Sequence, residues 1–113
     1  MALTPHAVTF DAEDAASLAR FWADALDLPV RDGATAEFAA VGGQDLTYLF
    51  FAVPEGKTAK NRVHLDLEAT DREAEVERLL SIGATRLGDH EEGVRWTVMA
   101  DPEGNEFCIV QTH

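Results

Sequence analysis

The sequence predicts an α+β fold made of two βαβββ modules, curved mixed sheets with their helices on the outer face. Three observations carry this. Strand-like alternation, helical periodicity and a run of further strand-like pieces follow one another twice in the same order. Turn residues punctuate each piece. A polar linker, PEGKTAKN at residues 54–61, lies between the two halves. The 113 residues therefore form a single domain, with module one at about 4–53 and module two at about 62–113, large enough for a core without disulfide or metal staples.

In module one, His6 to Phe10 alternate as a short strand. Asp14 opens a helix whose apolar positions Leu18, Phe21, Trp22, Ala25 and Leu26 recur at helical spacing. Asp27, Leu28 and Pro29 end it, because proline disfavours a helical residue before it and aspartate tolerates the left-handed position that closes helices. Strands are predicted around Val30, over Ala36 to Val41 and over Leu46 to Val53, with turns at Asp32-Gly33 and Gly42-Gly43.

Module two begins with a strand at Arg62 to Glu68. Thr70 and Glu73 form a capping box ahead of a helix carrying Val76, Leu79, Leu80 and Gly83 on one face. Thr85 to Leu87, Val94 to Ala100 and Glu106 to Gln111 read as strands. The run Asp89 to Glu92, with His90, reads as a solvated loop. Asp101-Pro102-Glu103-Gly104-Asn105 is a hairpin turn, proline presetting one corner and glycine supplying positive φ. His6 and His64 open the two modules at corresponding places. A single helix shields one face of its sheet, so the other must be covered by the sister module, a second subunit or a ligand. Two such sheets curved together make a cup suited to small molecules.

Composition narrows the function. A formal charge of -12 disfavours nucleic acid and anionic membranes. No apolar run is long enough to span a bilayer, the N-terminus shows no secretory signal, and one cysteine, Cys108, permits no intrachain disulfide. These features fit a cytoplasmic protein. Lys57, Lys60 and Arg62 concentrate positive charge in six residues, either as a solvated linker or as an anchor for an anionic group. Phosphate-binding glycine fingerprints, a Ser-His-Asp triad and a CxxC pair are absent.

The run LARFW (Leu18 to Trp22), the stretch VPEGKTAKNRVHLDL (Val53 to Leu67) and the ending DPEGNEFC (Asp101 to Cys108), set in paired modules, resemble the vicinal oxygen chelate superfamily. That group holds glyoxalase I, extradiol dioxygenases, fosfomycin-resistance enzymes and bleomycin-binding proteins; the resemblance is to its small glyoxalase-like bacterial subgroup and covers essentially the whole chain. It implies, for catalytic members, a divalent metal held by the first and last strands of each module. Carried onto this chain, His64 is the metal ligand of the opening strand in module two, on the face it shares with Asp66 and Glu68, while Val63, Leu65 and Leu67 turn toward the helix. His6 is the candidate of module one, although it alternates with Val8 and Phe10. Cys108 stands where metal-using members carry glutamate, and the matching strand of module one reads Phe50-Phe51-Ala52, with no ligand.

The expected function is therefore a small-molecule-binding protein, a homodimer, holding a small organic ligand in an aromatic-lined cup as the resemblance to bleomycin-binding proteins implies. Phe38, Tyr48, Phe51, Trp96 and Glu106 are its candidate binding residues, with His64 and Asp66 as polar contacts. The alternative is a glyoxalase-like metal-dependent lyase, isomerase or dioxygenase acting on a small oxygenated substrate. Its ion would be zinc, iron, nickel or manganese, held by His64, His6 and Cys108, and this reading ranks below no metal or a weakly bound one. A third reading is metal-free acid–base catalysis by His64 and Asp66.

Overall fold

The computed structural model describes residues 3–112 and contains two helices and seven strands. The chain separates into two compact units, with the division between Gly56 and Lys57, inside the predicted linker.

The first unit holds β1 (Ala7–Ala12), α1 (Ala15–Leu26), β2 (Phe38–Val41) and β3 (Thr47–Ala52). Asp14 caps α1 by accepting a hydrogen bond from the Ser17 N–H at 3.1 Å, which satisfies one of the free donors of the first turn. Asp27 closes the helix at φ 54°, its N–H donating to the Ala23 carbonyl, as the sequence predicts. The sheet order is β1-β3-β2, parallel between β1 and β3 and antiparallel between β3 and β2. The helix buries Leu18, Ala19, Phe21, Trp22 and Ala23. Trp22 stands 5.3 Å from both the Phe10 and the Phe21 ring, and Phe10 stacks on Phe50 at 5.0 Å. The predicted strand at Val30 is reduced to one antiparallel bridge with Val41. Gly43 is required where it stands, because a Cβ there would come within 2.5 Å of the Leu46 carbonyl oxygen.

The second unit holds β4 (Asp66–Ala69), α2 (Arg72–Ser81), β5 (Thr85–Glu92), β6 (Val94–Ala100) and β7 (Glu106–Gln111). Its sheet runs β4-β7-β6-β5, with β4 and β7 parallel and the other pairs antiparallel. Val76 and Leu79 of α2 are buried, as are Met99, Phe107 and Ile109 of the sheet. The β6–β7 hairpin turns on Gly104, at φ 89°, which an L side chain rarely adopts.

Four local expectations are corrected. The helix cap is Asp71, whose carboxylate accepts from the Ala74 N–H at 3.1 Å. Glu73, the other half of the expected capping box, instead pairs with Arg72 and Arg86. The first strand of module two starts at Asp66; residues 62–65 precede it and Val63 is 81% exposed rather than facing the helix. The acidic run at 89–92 is strand, because its backbone pairs with β6 while its side chains stay in water. Charge along an edge strand is a common guard against pairing with other chains.

The duplication is visible in the register. Ala12 pairs with Ala52 at the end of one parallel pair and Ala69 with Gln111 at the end of the other. The carbonyls of Ala12 and Ala69 then accept from Val53 and Thr112, each at 2.9 Å. Counting back from these ends, Thr9 corresponds to Asp66, Leu49 to Cys108, Phe38 to Trp96 and Ala7 to His64. His6 is therefore one residue out of step with His64, which corrects the expected equivalence of the two histidines.

Candidate functional site

Partners across a pleated sheet point to the same side, so the pairings of the second unit define a face. Asp66, Cys108 and Val98 form one row across β4, β7 and β6; Glu68, Val110, Trp96 and His90 form the next, extending to β5. Glu106 and Ala100 begin the row on the other side. The opposite side carries Met99, Phe107, Ile109 and Thr97, all buried, and packs toward α2. The first set is the open face of this sheet.

At its β4 edge, His64 Nε2 lies 3.2 Å from Asp66 Oδ1, with both side chains about half exposed. The Asp66 carboxylate also stands beside the Cys108 thiol, its register partner on β7. The ligand-capable atoms of His64, Asp66 and Cys108 all lie within 4.8 Å of one another. Cys108 is 8% exposed. Burial pushes its thiol up from the ordinary value, the Asp66 carboxylate adds to this, and the charge of Lys60 partly opposes it. A thiol in that setting is protonated near neutrality and is a weak nucleophile until a cation replaces its proton.

One row away, the rings of His90 and Trp96 stack at 5.3 Å, 19° from parallel. His90 is exposed and Trp96 half-buried, so together they present a flat apolar surface beside the polar group. The longer β5 makes this possible, and no residue pattern points to His90 here, because its acidic neighbours mask the strand.

Glu106, one of the expected binding residues, is engaged in a local clamp. Its carboxylate accepts from the Asn61 N–H at 3.1 Å and lies 3.1 Å from Lys57 Nζ. It thus clamps residues 57–61 onto the first residue of β7. Burial alone would raise the Glu106 carboxyl, but the Asn61 N–H and the Lys57 ammonium outweigh it and hold the group below the ordinary range. The clamp stabilises the fold above the unfolded-state value near pH 4.3 and is lost as pH falls through the lower folded value. Glu106→Gln is expected to cost about 1 kcal/mol at pH 7 and to flatten the loss of stability on the acid side. Urea melts between pH 3 and 7 check this; parallel curves for the two proteins would contradict it.

The first unit is arranged by the same rule. Phe38 and Phe51 share the open face of its sheet and their rings lie 4.9 Å apart. Tyr48 shares register parity with Phe50 and Val41, on the side that packs against α1, opposite to Phe38 and Phe51. His6 precedes β1, exposed, in step with Val8 and Phe10 on that same α1 side. The counterparts of His64, Asp66 and Cys108 here are Ala7, Thr9 and Leu49, with one hydroxyl among them and no strong metal ligand. The position matching Cys108 is thus Leu49, two residues before Phe51.

The donor set on the second unit fits a divalent ion: one imidazole, one carboxylate and one thiol match the nitrogen, oxygen and sulfur ligands that zinc accepts, with a fourth position open. No helix among the described residues is long and apolar enough to cross a membrane.

A family model described as a glyoxalase-like domain matches residues 7–110. No curated protein matches the chain. Solved structures of similar fold include a glyoxalase/bleomycin resistance protein/dioxygenase family enzyme from Burkholderia phytofirmans PsJN, at TM-score 0.78 and 18% identity, covering 95% of this chain and 97% of that one. The bleomycin-binding protein of Streptomyces verticillus, in complex with copper(II)-bleomycin, aligns at TM-score 0.68 and 20% identity over 100% and 99% of the two chains. Lactoylglutathione lyase from Agrobacterium tumefaciens aligns at TM-score 0.68 and 14% identity over 97% and 92%. At these identities the likeness is one of fold, and the fold serves binding and catalysis alike.

Proposed function

The chain belongs to the glyoxalase-like domain family, and from that premise we propose that it binds a small organic molecule on the open face of the β4-β7-β6-β5 sheet. The observation that carries this is the adjacency, on one face, of a stacked His90–Trp96 pair and the His64–Asp66 pair. A flat ring or conjugated system lies against Trp96 and loses water there. Hydroxyl or carbonyl oxygens on it reach His64 and Asp66, which supply a donor and an acceptor. The fold it shares with a bleomycin-binding protein supports binding without turnover.

We propose further that the protein is a cytoplasmic homodimer: its single cysteine suits a reducing compartment, and each helix covers one face of its sheet, so that a second copy could cover the other. The test of function is a screen of small oxygenated aromatic compounds by thermal shift and tryptophan fluorescence. A binding compound raises the melting temperature, by mass action, quenches Trp96, and is recovered intact. No stabilising compound, or equal binding by Trp96→Leu, would overturn the proposal.

A second reading is favoured by the 3.2 Å separation of His64 and Asp66. In it the carboxylate orients the imidazole, and the imidazole takes a proton from the bound substrate and returns it elsewhere. A divalent ion bound to the same side chains would supply polarisation of a substrate oxygen. Consumption of a binding compound, abolished by His64→Ala, establishes this reading over sequestration.

A further inference from the structure

We infer that the molecule bound on the open face of the second sheet carries a carboxylate, and that Lys60 is the residue that holds it. The inference rests on the proposed function and names the ligand class within it. Lys57, Lys60 and Arg62 gather positive charge in a chain of net charge -12, and the two lysines have different surroundings. Lys57 is engaged in the fold. Its Nζ lies 3.1 Å from Glu106 Oε1 and also donates to the Ala59 carbonyl, and its stem packs over Gly104 in the β6–β7 turn. Lys60 is exposed and, among the described residues, makes no hydrogen bond or ion pair.

Position makes that ammonium available to the site. Glu106 and Cys108 lie two residues apart on β7 and so point to the same, open face. The Glu106 carboxylate accepts from the Asn61 N–H at 3.1 Å, which pins the backbone next to Lys60 over the head of that face. Shortly after, the Leu65 carbonyl accepts from the Cys108 N–H at 2.9 Å, so the chain that follows Lys60 is tied to β7 at both ends. The charge of Lys60 is felt at the Cys108 thiol, where it opposes the effect of burial. Glu106 does not neutralise it, because Lys57 and the Asn61 N–H already occupy that carboxylate, and Asp66 faces His64 at 3.2 Å. An unpaired ammonium on an otherwise acidic surface attracts an anion, and its three donors suit carboxylate oxygens. With the Asp66 carboxylate close by, one ammonium balances a single negative charge, which favours a carboxylate over a doubly charged phosphate. Successive rows of this face are about 7 Å apart along a strand, so a ring lying on Trp96 and an acid group over Cys108 belong to one small molecule, of about the span of a hydroxynaphthoate.

The experiment uses the intact, isotopically labelled protein and matched probes: hydroxynaphthoates and hydroxybenzoates, each beside its uncharged primary amide. They are titrated at neutral pH, with the Trp96 indole N–H shift reporting occupancy of the site. Each acid is expected to bind at least about threefold tighter than its amide at low ionic strength, the order of one exposed ion pair, and the preference shrinks in about 0.5 M salt. Lys60→Gln brings the ratio to about one while the amides still move Trp96. Arg78→Gln, which removes a positive charge from α2, leaves the ratio unchanged. Amides that match the acids in the native protein, an acid preference that survives in Lys60→Gln, or a larger loss in Arg62→Gln than in Lys60→Gln would overturn this inference and leave the binding face standing, since Trp96 still responds. Aryl phosphates that bind more tightly than the carboxylates would overturn the choice of acid group. Acids and amides that both leave Trp96 unmoved would overturn the binding face itself, and this inference with it.

Discussion

Trp22→Ala is expected to lower the unfolding free energy by about 3–5 kcal/mol, the usual cost of removing a buried tryptophan. Trp22 is 1% exposed and its ring meets Phe10 and Phe21, while Phe10 continues the cluster to Phe50. One side chain thus joins α1 to β1 and, through Phe10, to β3. Neighbouring rings cannot collapse into the space, because Phe50 is already fully buried and interiors pack near crystal density. Since whole domains are stable by only about 5–15 kcal/mol, the variant should be marginal at 37 °C. Trp22→Phe keeps most of the ring and should cost less than half as much. Chemical denaturation of both variants checks this; a Trp22→Ala loss below about 1 kcal/mol would mean that the cluster does not hold the helix to its sheet.

The second large effect lies at the β6–β7 hairpin. Asp101 is 2% exposed, and its Oδ1 accepts from the Glu103 and Asn105 N–H groups at 2.9 and 3.0 Å. The Asn105 amide reaches its other oxygen at 2.9 Å. Alanine would leave these donors unsatisfied in a buried turn, at about 3 kcal/mol in total. Asp101→Asn keeps an acceptor for the two backbone donors but turns an NH2 toward the Asn105 amide, so roughly half the loss is expected. This turn fixes the register that sets Trp96 opposite Val110 and Val98 opposite Cys108. Asp101→Ala should therefore also broaden the amide resonances of Trp96 and Cys108. A destabilised protein with those resonances unchanged would separate the turn from the site.

Much of this was legible in the residues, for identifiable reasons. The α1 boundaries follow from Asp14, Asp27 and Pro29, each with a local mechanism of its own. The closeness of His64 and Asp66 follows from their two-residue spacing, although His64 precedes β4, and the turn that leads into β7 is explicit in Asp101, Pro102, Gly104 and Asn105. What was hidden depended on pairing between distant segments. His6 matches His64 in residue type, yet register is set by the β1–β3 hydrogen bonds, which put Ala7 in that place. Tyr48 looks like Phe51 in composition, but three residues along a strand reverse the side. His90 was hidden because β5 is an edge strand whose charged side chains read as a loop.

The proposed function puts a small molecule on the open face of the second sheet. The most direct measurement is a fragment screen of oxygenated aromatic compounds, read by amide and imidazole chemical shifts of the isotopically labelled chain. Binding fragments are expected to shift His64, Asp66, Trp96 and Cys108 together and leave the exposed face of α2 unmoved. Fragments that bind while shifting α2 or Tyr48 and sparing Trp96, or a screen in which nothing binds, would contradict it.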